Sequence, residues 1–253
     1  MRDSLYAERG GSGAPLLVLL HGLGASAAVW DGLVGIVRER WAGRWIAPDL
    51  RGHGRSSHAA PYGYGTHAAD VAALLDAGDD VVVLAHSMGG VVGLVLATQW
   101  FGVRVRAVVA FAVKPGFNAE EVARIRGVAA AGYRWFDTRE PAIERQIAVA
   151  GLRGLIRADD PRAAIGIAEA DGKFRIAMDP AANLVLGPEL PELLAAADAP
   201  VHFAVGDRDP LVAVDAMRAV DPSAHVFPGC GHNVHVEDPQ ALWTFAEPFL
   251  TAR

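Results

Sequence analysis

The sequence is poor in the features that mark several large classes of protein. It holds one cysteine, Cys230, in 253 residues, which excludes an internal disulfide framework. Basic residues are the minority, 23 Lys and Arg against 29 Asp and Glu, and the formal net charge is −6. No cationic stripe or cluster is visible along the chain, so neither nucleic acid nor an anionic membrane surface is an expected partner. Long apolar runs are missing too. The most apolar stretch, VVVLAHSMGGVVGLVLA at 81–97, is interrupted by a histidine, a serine and glycines. It falls short of the roughly 18–20 continuous apolar residues that span a bilayer. The opening MRDSLYAERGGSG has no apolar segment of the kind a secretory signal needs. Cytoplasmic residence, as a monomer or homodimer acting on a small molecule, is the expectation.

What the chain has in quantity is apolar residues, 52% of the total, enough to bury a large core without metal or disulfide. They come in short continuous runs: LLVLL at 16–20, WIA at 45–47, VVVLA at 81–85, VRAVVAFA at 105–112, VHFAV at 201–205 and AHVF at 224–227. Each reads as a buried strand. Helix-like patterns at 27–40, 66–77, 89–101, 211–219 and 239–250 lie between or after them. Alternation of this kind predicts an α/β architecture, a mainly parallel sheet covered on both faces. The alternation stops over 114–198, where EEVARIRGVAAAGYRWF, PAIERQIAVAGLRGLI and PRAAIGIAEA read as successive helices with no strand between them. The chain therefore divides into a core of residues 1–113 and 199–253 and a helical insertion, 114–198. An insertion after a strand's C-terminal end hangs over the place where open sheets bind ligands, as a lid would.

The polar break in the 81–97 run falls between the strand VVVLA and a helix beginning near Gly89, so Ser87 occupies a sharp strand-to-helix corner. A serine before a helix is commonly only an N-cap. Here Ala85 and Gly89 flank it two residues either side, close to the G-x-S-x-G pattern with alanine replacing the first glycine. A serine nucleophile needs a base and a carboxylate to orient that base. VFPGCGHNVHVEDP supplies His232 in a glycine-flanked loop after one strand, with His235 as its competitor or as a residue lining the site. VHFAVGDRDPLV supplies Asp207 and Asp209 after another; Asp209 is preferred, and one of the two is expected to serve the turn. After the first strand comes HGLG at 21–24, where the backbone N–H of Leu23 joins that of Met88 as a candidate oxyanion hole. Aromatic side chains near these loops and around the insertion, Trp30, Phe111, Phe117, Trp135 and Phe136, are candidates to line a substrate pocket, with Phe111 the one expected in the core. No metal or cofactor is expected. His232 and His235 have no third ligand beside them, and Gly89, Gly90 and Gly93 form no dinucleotide fingerprint.

Taken together, HGLG at 21, DLRGHGRS at 49–56, AHSMGG at 85–90, GDRDP at 206–210 and GCGHNVHVEDP at 229–239 resemble the motifs of the α/β-hydrolase superfamily, in that family's order. The resemblance covers nearly the whole chain. It implies an eight-stranded, mostly parallel sheet with an inserted helical cap, a Ser87–Asp209–His232 triad and oxyanion donors at Leu23 and Met88. It also implies that Asp49, Arg51 and His53 are scaffold. A serine at position 87, where epoxide and haloalkane hydrolases carry aspartate, points to ester-type chemistry. A carboxylesterase acting on a small, largely hydrophobic substrate leads. Lactonase, thioesterase or carbon–carbon hydrolase activity on the same triad, or a ligand receptor or cofactor-free haloperoxidase-like role, are the alternatives.

Overall fold

In the computed structural model, which describes residues 5–252, each apolar run named above becomes a strand of one sheet. The first half of the chain runs β1 (Ala7–Gly10), β2 (Leu16–Leu20), α1 (Asp31–Arg40), β3 (Arg44–Pro48), α2 (Tyr64–Ala72), β4 (Val81–His86), α3 (Met88–Leu96) and β5 (Val105–Phe111). An inserted segment follows with α4 (Ala119–Ala130), α5 (Arg139–Val149), α6 (Pro161–Ile165), β6 (Ile167–Ala170), β7 (Lys173–Ile176) and α7 (Leu190–Ala196). The chain then returns through β8 (Val201–Gly206), α8 (Val214–Val220), β9 (His225–Phe227), α9 (Val234–Glu237) and α10 (Pro239–Thr251).

The sheet has seven strands among the described residues, in the order β1-β3-β2-β4-β5-β8-β9, one fewer than the family resemblance implies. All neighbours are parallel except β1, which pairs antiparallel with β3 at the edge. β1 escapes sequence reading because AERG has no apolar run; backbone bonds to β3 hold it. Side chains of β2 alternate between two cores. Leu16, Val18 and Leu20 join α2 and α3 on one face, and Leu17 and Leu19 join α1 and α10 on the other. All five are buried, and each contributes about 1.5–3 kcal/mol relative to exposure. A strand buried on both faces is continuous in apolar residues for this reason.

The inserted segment differs from expectation. IAEA, read above as the end of a helix, is strand β6, paired antiparallel with β7. Asp171 and Gly172 between them have φ of 50° and 70°, the positive values that a two-residue hairpin turn demands. That Asp-Gly pair between alternating residues was the available signal for a hairpin.

Candidate active site

Ser87 sits alone between β4 and α3 with φ 50° and ψ −117°, a conformation that costs a non-glycine residue about 1–3 kcal/mol. It stands at the N-cap position of α3, but its side chain makes no capping bond, so capping does not account for a serine there. The corner is held by the Ser87 N–H, which donates to the Phe111 carbonyl at 2.9 Å, and by close approach of the β2 loop. A Cβ on Gly89 would stand 2.4 Å from the Leu20 carbonyl oxygen and 2.6 Å from that of His21. Glycine at 89 lets the helix start lie against that loop. Met88 is the first residue of α3, where N–H groups have no acceptor within the helix.

The acid and base meet in space. Asp209, its side chain fully buried, accepts from the backbone N–H of Leu211 at 2.8 Å and of Val212 at 3.1 Å through Oδ1. Its Oδ2 pairs with His232 Nδ1 at 2.8 Å. Asp209 therefore serves its own turn as well, whereas Asp207 ties that loop to the one after β9: its Oδ1 accepts the Gly229 N–H at 2.7 Å. With Nδ1 donating to Asp209, His232 keeps a lone pair on Nε2, the tautomer a general base requires. A further histidine, His86, is buried but lines the same cavity as Ser87, and it donates from Nε2 to the His232 carbonyl at 2.9 Å. Burial holds its pKa well below the ordinary histidine value, so the donor is a neutral ring.

Ser87, His232, Leu23 and Met88 line one cavity of about 310 Å³ between the sheet's edge and the inserted segment. Phe117, Ile125, Val149, Val185 and Tyr64 supply much of its apolar wall, and Lys114, Glu121 and Arg124 its charges. Of the side chains proposed from sequence to line a pocket, Phe117 does so, and Trp30, Phe111, His235, Trp135 and Phe136 are elsewhere. Trp30 is fully buried in the core, its ring 4.7 Å from that of His235 and 6.1 Å from that of Phe111, centroid to centroid. His235 is buried in the same cluster with neither ring nitrogen on a protein partner, and burial pushes its pKa down to about 3. It packs behind His86 and does not compete as base. Trp135 is exposed beside Arg175, and Phe136 exchanges backbone bonds of 2.8 Å with Phe174 on β7. Side-chain direction decides these cases, and adjacency in sequence does not report it. Asp49 behaves as scaffold: wholly buried, it accepts from the N–H of Ala27 at 2.6 Å and of Arg55 at 2.8 Å.

Residues 17–244 match the model of the alpha/beta hydrolase family. The lipase LipV of Mycobacterium tuberculosis is 41% identical over 96 residues, which are 37% of this chain but only 36% of that protein's length. The 2-succinyl-6-hydroxy-2,4-cyclohexadiene-1-carboxylate synthase of Salmonella paratyphi B is 30% identical over 256 residues, covering 94% of this chain and 95% of that one. Among solved structures, that of E-2-(acetamidomethylene)succinate hydrolase superposes with a TM-score of 0.81 at 26% identity, covering 98% of this chain and 95% of the other. A strained serine at a strand-to-helix corner, an aspartate on a histidine, and this match across nearly the full length agree: the chain belongs to the α/β-hydrolase family.

Proposed function

We propose that the protein is a serine hydrolase that cleaves an ester-type bond of a small substrate through an acyl-enzyme on Ser87. The observation that carries this reading is the 2.8 Å Asp209–His232 bond in the loop of the base that shares a cavity with Ser87. His232 Nε2 takes the Ser87 hydroxyl proton as Oγ attacks the carbonyl carbon, and the backbone N–H groups of Leu23 and Met88 receive the oxyanion. Each such donor contributes about 3 kcal/mol at the transition state. The protonated His232 then gives its proton to the leaving alcohol. Water, deprotonated in turn by His232, releases the acid and frees Ser87. The largely apolar wall favours a hydrophobic body on the substrate. Segment 114–198 acts as the cap, since α4 and the residues near Val149 and Val185 roof the cavity.

A panel of p-nitrophenyl esters, lactones and thioesters of graded acyl length tests this. Turnover of esters by the native protein, and loss of several orders of magnitude in Ser87→Ala, is the expected result. Activity retained in Ser87→Ala would sink it. A second reading, carbon–carbon bond cleavage or a lyase reaction on the same triad, draws on the full-length similarity to a synthase. Cleavage of vinylogous diketones with no ester turnover would favour that alternative.

A further inference from the structure

The cavity over Ser87 is apolar for most of its wall, yet it carries two cations, Lys114 and Arg124, and one anion, Glu121. The lining thus has one positive charge in excess, in a chain whose net charge is −6. Glu121 is committed to structure. One of its carboxylate oxygens accepts the Asn118 backbone N–H at 3.0 Å, closing the capping box of α4, and the other pairs with Lys114 Nζ. The hydrogen bond from Lys114 holds its carboxyl below the usual glutamate range, so it remains ionised. Lys114, 5.3 Å from the centroid of the Phe117 ring, has two N–H donors beyond the one given to Glu121. Arg124, an exposed residue one turn along α4 from Glu121, borders the same cavity; it makes no ion pair among the described residues and acts on Glu121 only through space. Its planar fork suits a carboxylate, and one excess charge matches a monoanion better than a phosphate dianion.

We propose that the substrate carries a free carboxylate, bound by Arg124 with Lys114 beside it, while the apolar wall holds the remainder and the reacting carbonyl lies at Ser87. The proposal rests on the serine-hydrolase reading for its chemistry but not for its binding.

The test compares two esters of equal chain length, mono-p-nitrophenyl adipate and p-nitrophenyl hexanoate. At low ionic strength the ratio of their kcat/KM values is expected to favour the adipate ester by about tenfold or more. It is expected to drop as salt is added. Arg124→Gln is expected to cut the ratio by about fivefold or more, and Lys114→Met, which also leaves Glu121 unpaired, by at least as much. A ratio below one in the native protein, or a ratio unmoved by both substitutions, would overturn the proposal. Calorimetry on the Ser87→Ala protein with monomethyl adipate and methyl hexanoate reads the anion site without turnover. If neither p-nitrophenyl ester is cleaved, the hydrolase reading fails by itself. The anion site then stands if monomethyl adipate binds and Arg124→Gln abolishes that binding, and it fails if monomethyl adipate does not bind.

Discussion

Ser87 and His86 are consecutive residues with separate tasks. The first lines the cavity, and the second ties β4 to the carbonyl of His232. His86→Phe would leave that part-buried carbonyl without its donor, a loss of about 1–3 kcal/mol. The expected outcome is a fall in kcat of about tenfold or more with KM little changed, read by steady-state kinetics on protein whose circular dichroism is native. The two acids separate in the same way. Asp209→Asn is expected to cost roughly four orders of magnitude in kcat, as loss of the orienting carboxylate does in other triads. Asp207→Asn keeps an oxygen for the Gly229 N–H and is expected to change the rate by less than about twofold, because only one bond between two loops is at stake. Ser87, Asp209 and His232 were legible because each ends an apolar strand in a short polar loop. Trp30 and His235 were not, because whether a side chain near such a loop enters a pocket or a core is settled by packing from distant segments.

At the scale of elements, the strand-to-helix corner depends on how near α3 comes to the loop after β2. Gly89→Ala forces a methyl carbon to 2.4 Å from a backbone oxygen that has nowhere to go. It is expected to lower stability by about 1–3 kcal/mol and to remove most activity. Gly35→Ala in α1 is the contrast: nothing lies within 4 Å of its added carbon, and helix propensity alone predicts a gain of up to about 1 kcal/mol. Thermal melts of the two variants check both signs. The parallel strands were readable since burial on both faces makes them continuously apolar. The inserted segment was less so. α4 buries no residue fully, and β6 and β7 are held to each other outside the main sheet, so the pattern there is weak. The face of α4 that meets the cavity, with Glu121, Arg124 and Ile125, follows from how the helix is docked, which no local pattern reports.

Over the whole molecule, five buried histidines share one property. His21, His53, His67, His86 and His235 are all at most 3% exposed, and burial is the largest cause lowering each pKa, to about 4 for His67 and about 3 for His235. In the unfolded chain they titrate near 6.5, so below that pH the unfolded state binds more protons than the folded one. Stability is therefore complete above about pH 6.5 and falls as pH drops from there; for His67 and His235 the loss runs to about pH 4 and about pH 3, at up to about 1.4 kcal/mol per pH unit each. Denaturant melts between pH 7 and 5 are expected to show this slope, and His235→Phe to make it shallower. A flat profile would mean that these rings gain protons without unfolding. The fold as a whole brings β4, β8 and the loop before α9 to one cavity, and the central claim is that Ser87 Oγ is the nucleophile there. The most direct measurement is the mass of the protein after reaction with a p-nitrophenyl phosphonate, followed by peptide mapping. The account predicts a single adduct on the peptide containing Ser87, absent from Ser87→Ala and much slowed in Asp209→Asn. An adduct on another residue, or one still formed in Ser87→Ala, would contradict it.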